Sequence, residues 1–204
     1  MSEQRPLIVG ISGASGVIYG IRLLEVLRDL KIETHLVMSR SAEITIAHET
    51  DLKIADVSAL AGKTYAQSDI GAAISSGSFK TRGMIIAPCS MRSMSEIATG
   101  VTSGLLTRAA DVVLKERRSL ILMIRETPLH TGHLRAMTSL SEMGAIVAPP
   151  VPAFYARPTS IEDMIDHTVG RVLDLFDIEA GTVRRWRQGQ PSPQAASRRP
   201  RRAK

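Results

Sequence analysis

A doubly wound α/β fold, with one parallel sheet covered by helices on both faces, is predicted by three features of this chain. Strand-like and helix-like patterns alternate from one end to the other. The strand candidates are short, unbroken apolar runs, as expected where both faces of a sheet are buried. The first of them, Ile8-Val9-Gly10-Ile11, runs straight into the small-residue loop Ser12-Gly13-Ala14-Ser15-Gly16 and then into a helical pattern. A chain of 204 residues is long enough to bury about 70% of its extended surface in one core, so no structural staple is required. Its single cysteine, Cys89, excludes an internal disulfide.

In chain order, the first strand is predicted over 6–12 and the first helix over 16–30. A strand, a glycine turn and a helix amino end in succession leave unpaired amides at the positive end of a helix dipole, which suits a phosphate. Glycines at 10, 13 and 16 also allow close strand–helix packing with no ligand. The second strand, 32–38, ends in Ser39-Arg40-Ser41, where a dinucleotide fold would place Asp or Glu for the ribose hydroxyls. That argues against NAD and leaves a mononucleotide such as FMN. Ser39 can serve a phosphate, cap the helix over 40–50, or both.

The polar stretch 51–82 predicts short helices and a loop. Strand 83–88 leads through Pro88-Cys89-Ser90-Met91-Arg92-Ser93 to helices over 91–99 and 103–116. Strand 119–124 leads through Arg125-Glu126-Thr127-Pro128 to a helix over 129–143. Strand 145–149 leads through the stiff segment Pro149-Pro150-Val151-Pro152-Ala153-Phe154-Tyr155 to a helix over 160–176. Ligands of such sheets bind beyond the carboxyl ends of the strands, where the strand order reverses. The five segments that follow the strands therefore make up the candidate site.

The net charge of +6 is concentrated at one end. Arg198, Arg199, Arg201, Arg202 and Lys204 lie in an acid-free tail over 189–204, which leaves a nearly neutral body. The tail is rich in Pro, Ser, Gln and Arg and is expected to be disordered, a solubilising extension rather than a nucleic-acid contact. The amino end lacks the basic region and apolar run of a signal peptide, and no apolar run approaches about 20 residues. A soluble, cytoplasmic protein with neither nucleic acid nor membrane as partner is expected. The five histidines, His35, His48, His130, His133 and His167, show no metal-ligand spacing, so no metal site is expected.

Over nearly the whole chain these segments resemble the UbiX-type flavin prenyltransferases. The matching motifs are Gly10-Ile11-Ser12-Gly13-Ala14-Ser15-Gly16, Ser75-Ser76-Gly77-Ser78-Phe79, Ala87-Pro88-Cys89-Ser90-Met91, the run from Leu106 to Glu116, Arg125-Glu126-Thr127-Pro128-Leu129 and Pro152-Ala153-Phe154-Tyr155. The resemblance implies a single Rossmann-like, flavoprotein-type domain over 1–188. It also implies an enzyme that joins reduced FMN to the dimethylallyl group of dimethylallyl monophosphate, without a metal. The product would be prenylated FMN, with a ring across N5 and C6, for a UbiD-type decarboxylase in ubiquinone synthesis or aromatic-acid breakdown. Relatives assemble as dodecamers, so a homododecamer is implied.

By the same resemblance, Gly13, Ala14, Ser15, Ser39, Ser90, Met91, Arg92, Ser93 and Arg125 fall at FMN-binding positions. Tyr155 and Arg171 fall where the prenyl donor's phosphate is held. Ser15, Glu49, Arg108, Lys115 and Glu126 fall around the reacting centre. The physical logic agrees, because a departing phosphate leaves negative charge that fixed Arg, Lys and Tyr donors stabilise, and a carboxylate such as Glu126 can carry protons.

Each assignment has a plainer counterpart. Arg108 and Lys115 can be solvated groups on one helix face, Arg125 and Glu126 a surface ion pair, and Arg171 an exposed helix residue. Cys89 reads as a small core residue rather than a nucleophile. Two departures from many relatives, Ser103 for Asp and Arg92-Ser93 for Lys-Thr, bear on how the flavin is positioned. The alternatives in function are an FMN-dependent decarboxylase of the cysteine-decarboxylase fold, disfavoured because no Asn follows the third predicted strand, and a plain flavin-binding module. Because the tail lies outside the resemblance, truncation after Gln188 is expected to leave turnover within about twofold, roughly 0.4 kcal/mol in the barrier, as steady-state kinetics would show.

Overall fold

A computed structural model of the chain describes residues 5–185. The tail over 189–204, for which disorder is predicted, lies outside the described residues. Six strands, β1 (Leu7–Ile11), β2 (Thr34–Met38), β3 (Lys63–Tyr65), β4 (Gly83–Cys89), β5 (Ser119–Ile124) and β6 (Ile146–Val147), form one sheet in the order β3-β2-β1-β4-β5-β6. All neighbours pair in parallel. In β1, β2 and β4 every residue is buried, which is why these strands read as continuous apolar runs.

Two layers of helix enclose the sheet. Helices α1 (Val17–Asp29), α2 (Arg40–Glu49), α3 (Ile54–Ser58) and α7 (Ile161–Asp174) contribute Leu24, Ile46, Val57 and Val169 to the core on one face. Helices α4 (Met91–Thr99), α5 (Leu105–Lys115) and α6 (Thr131–Glu142) contribute Met94, Leu106 and Leu140 on the other. Helix α1 lies so close to β4 that a Cβ on Gly20 would stand 2.2 Å from the Ala87 carbonyl oxygen.

The expectation for 51–82 needs correction. Besides the short α3 and a 3-10 turn at Ala73–Ser75, it contains β3, which pairs with β2 from His35↔Lys63 to Val37↔Tyr65. Lys63 and Thr64 are exposed and only Tyr65 is buried, so a three-residue edge strand leaves no apolar run to read. At the opposite edge β6 is shorter than predicted. Its pairing stops at Leu122↔Val147, and Pro149 and Pro150 cannot extend the ladder.

The helices start later than their patterns suggest where a cap intervenes. His130 holds the amides of Gly132 and His133 and so starts α6 at Thr131, two residues later than predicted. Ser160 caps α7 by accepting from the Asp163 amide. Among the described residues, no helix is long and apolar enough to cross a membrane.

Candidate active site

The strand order reverses between β1 and β4, and a single hydroxyl spans that point. Ser12 Oγ donates to the Pro88 carbonyl at 2.8 Å and accepts from the Ser90 amide at 2.7 Å. Ser12 is 1% exposed, so these bonds act as a strut between the two strand ends. Beside it opens a cleft of about 360 Å³ whose lining includes Gly13, Ser39, Ser41, Ser90, Arg92 and Ser93.

Two helix amino ends face this cleft. Ser39 Oγ accepts from the Ala42 amide at 3.1 Å and Ser90 Oγ from the Ser93 amide at 3.3 Å, so both serines are N-caps. The amides of Arg40, Ser41, Met91 and Arg92 have no intrachain acceptor among the described residues. With the positive ends of α2 and α4 behind them, these donors fit the phosphate of a mononucleotide. Ala14 is buried beside this loop, and Met91 packs partly on the core under it. Gly13 is required for a reason other than ligand approach: a Cβ there would lie 2.3 Å from Ser41 Cβ and 3.0 Å from the Ser41 backbone carbon.

The reading of α1 as an open phosphate site is corrected by Glu49. Its carboxylate accepts from the Gly16 amide at 2.8 and 3.2 Å and from the Val17 amide at 3.1 Å, so the amino end of α1 is already capped by an anion of the protein itself. Partial burial works to raise the Glu49 pKa. Hydrogen bonds from Ser15, Gly16 and Val17, with the Arg125 charge, outweigh burial and hold it below the ordinary carboxylate range. Ser15, Glu49 and Arg125 therefore form one cluster over the strand ends.

A carboxyl whose folded pKa is depressed contributes stability that is present above its unfolded pKa and is lost as pH falls through the folded value. Glu49→Gln is expected to cost about 0.5–1 kcal/mol at neutral pH, the low end for caps because the side chain is exposed. It should also flatten the acid limb of the stability curve. Chemical denaturation across pH measures both.

Beyond β6 a second concavity, about 310 Å³, is lined by Ala148, Pro149, Val151, Tyr155, His167 and Arg171 among others. Tyr155 and Arg171 are thus brought together. Arg171 Nη1 donates to Asp174 Oδ2 at 2.6 Å, and Asp174 also accepts from Arg185 at 3.1 and 3.3 Å. Burial pushes the Asp174 pKa up, but Arg185 and Arg171 together hold it low. The groove is lined by the segment that follows β6 and by the second half of α7.

Lys115 does not join that groove within one chain. It closes α5 just before β5 begins, which places it at the amino edge of the sheet, and its ammonium pairs with Glu116. Arg108 pairs with Asp111 at 2.7 Å on the same helix. Arg125 and Glu126 form no ion pair with each other. The exposed Glu126 carboxylate accepts from the Thr127 amide at 2.9 Å, while Arg125 acts on Glu49. Burial pushes the Cys89 thiol up to about 12, which leaves it inert as a nucleophile. Among the described residues, no group of three His, Cys, Asp or Glu side chains is arranged to hold a metal.

Residues missed in the sequence also shape the cleft. Glu96 accepts from Arg92 Nε at 2.9 Å, Ser103 Oγ at 2.6 Å and Thr107 Oγ1 at 3.2 Å, tying α4 to α5. The spacing of Arg92 and Glu96 on one helix could have revealed the first of these pairs. Gln67 accepts the Leu105 amide on its carbonyl at 2.9 Å and the Leu106 amide on Oε1 at 3.1 Å, and so closes α5. It carries no local signal.

Residues 1–184 match the family model for flavoproteins. The chain is 63% identical to the flavin prenyltransferase UbiX of Escherichia coli strain K12 over 176 residues, 86% of this chain and 93% of that protein. A crystal structure of AnUbiX in complex with FMN and dimethylallyl pyrophosphate is 49% identical, with a TM-score of 0.90 over 92% of this chain and 100% of that one. A dodecameric FMN-dependent UbiX-like decarboxylase from Escherichia coli O157:H7 is 50% identical, with a TM-score of 0.88 over 90% of this chain and 100% of that one.

Proposed function

Because the chain belongs to the flavoprotein family and, within it, to the UbiX flavin prenyltransferases, we propose that it transfers the dimethylallyl group of dimethylallyl monophosphate to reduced FMN. The reading is supported by two separate concavities, the cleft at the amino ends of α2 and α4 and the groove that brings Tyr155 and Arg171 together. A plain flavin-binding module needs only the first. The donors at the amino ends of α2 and α4, with Gly13, Ala14, Ser39, Ser90, Met91, Arg92 and Ser93, hold the FMN phosphate end. Arg125 and Ser15 stand with Glu49 over the strand ends, and Tyr155 and Arg171 hold the phosphate of the donor.

FMN supplies the nucleophilic ring atoms, and the protein supplies position and charge. As the bond from the dimethylallyl carbon to the phosphate oxygen breaks, Arg171 and Tyr155 stabilise the charge that collects on phosphate. Glu126, exposed on the loop after β5, is placed to carry protons. Glu49 stays ionised beneath Arg125 and fixes the loop that carries Ser15.

Arg108 and Lys115 serve the site of a neighbouring copy in a homododecamer. Support for this comes from the position of Lys115 at the far edge of its own sheet and from the dodecameric relative. The exposed apolar side chains Val151, Phe154, Ile70 and Val101 agree with such burial between copies. The prenylated flavin is then handed to a UbiD-type decarboxylase.

Anaerobic incubation with reduced FMN and dimethylallyl monophosphate, followed by mass analysis of the extracted flavin, tests the reaction. A flavin heavier by one prenyl unit is expected, and unmodified FMN at full occupancy would refute the assignment. Parallel incubation with dimethylallyl diphosphate decides which donor is used.

A further inference from the structure

Tyr155 is carried by a single 3-10 turn, Phe154–Ala156, between the proline-rich segment and α7. Val151 and Phe154 beside it are 71% and 72% exposed, and Tyr155 itself is 45% exposed. A buried imidazole stands behind it. His167, 6% exposed on α7, places Nε2 at 3.4 Å from Tyr155 Oη and at 3.4 Å from the Arg184 carbonyl oxygen. The two rings meet edge to face, with centroids 5.6 Å apart and planes at 84°.

The same arginine closes the circuit from its other end. Arg184 Nη1 donates to the Ala156 carbonyl at 3.0 Å, which ties down the turn that carries Tyr155. The segment over 182–184 is in turn held on α7 by Thr182 Oγ1, which donates to the Asp166 carbonyl at 2.9 Å. It crosses the helix at Gly170, where a Cβ would lie 2.5 Å from Thr182 Oγ1.

A carbonyl oxygen only accepts, so the Arg184 contact fits the tautomer with hydrogen on Nε2, one hydrogen that faces both the carbonyl and the phenol oxygen. Toward Tyr155 that hydrogen makes His167 the donor and the phenol oxygen an acceptor. The phenol hydrogen then points away from the imidazole. We propose that His167 is a positioning residue that, with the Arg184 carbonyl, orients Tyr155 to donate its hydroxyl hydrogen to the donor phosphate in the groove. This inference rests on the reading of Tyr155 and Arg171 as the donor-phosphate site.

The test uses the full chain with reduced FMN and dimethylallyl monophosphate. His167→Phe keeps an aromatic ring but removes the donor, and is expected to raise the KM for the monophosphate about 3- to 10-fold. FMN affinity should stay within about twofold. His167→Gln, whose side-chain amide can still donate, should restore most of the loss. In a Tyr155→Phe background the further effect of His167→Phe should fall below about twofold, since the bond it removes is already absent.

An unchanged KM in folded His167→Phe, an equal loss in FMN affinity, or an undiminished effect in the Tyr155→Phe background would each overturn the inference while leaving the donor site in place. If Tyr155→Phe and Arg171→Ala both leave the monophosphate KM untouched, the donor-site reading itself fails, and this inference fails with it.

Discussion

Arg171→Ala is expected to lower kcat/KM for dimethylallyl monophosphate by about 10- to 150-fold, because in the proposed donor site one charge-assisted hydrogen bond to the leaving phosphate contributes roughly 1.5–3 kcal/mol. FMN affinity stays within about twofold, since the residue lines the groove rather than the cleft. The variant should fold. Asp174 keeps its two bonds from Arg185 when Arg171 is gone, so no carboxylate is left buried without a cation. Separate titrations of FMN and the prenyl donor decide the matter. Equal losses for both would mean general damage, and loss of FMN alone would mean that the two anion sites are assigned the wrong way round.

Gly13→Val is expected to weaken FMN binding by on the order of 100-fold or more, about 2.7 kcal/mol, without unfolding the core. The new side chain has to displace Ser41, whose Cβ and backbone lie 2.3 and 3.0 Å from the position a Cβ would take. Moving Ser41 shifts the first turn of α2, and with it the Ser39 cap and the amides of Arg40 and Ser41. Gly13→Ala already carries the clashing atom and should lose most of the affinity too. Flavin titration monitored by fluorescence quenching, with circular dichroism as the fold control, measures the effect. Wild-type affinity in Gly13→Ala would remove the α2 amino end from the FMN site.

The fold was legible where apolar runs are long and unbroken. The five predicted strands correspond to β1, β2, β4, β5 and β6, and the wound order places all their following segments at one edge. Strand β3 was not legible, because Lys63, Thr64 and Tyr65 join an edge through backbone bonds that no side-chain pattern records. Within the candidate site, the serine caps could be anticipated from type and position. The Glu49 cap could not, because the carboxylate meets the Gly16 amide from 33 residues away, and the α1 motif looks the same whether an outside phosphate or an inside carboxylate completes it. Gln67 and His167 were hidden for the same reason. Their partners are backbone groups and a phenol brought near by the chain path, not by spacing.

The Glu49 cap also decides by exclusion where a ligand can settle. Four helices begin around the cleft, and two of them, α1 and α5, are sealed by side chains from elsewhere in the chain, Glu49 and Gln67. Of these four, α2 and α4 keep open amides among the described residues. A phosphate at this edge is therefore expected to meet one vacant berth instead of several competing ones. The amino end of α1, which looks like the phosphate site, is thus closed by the protein's own carboxylate, while Gly13 of the loop before it lines the cleft beside α2 and α4.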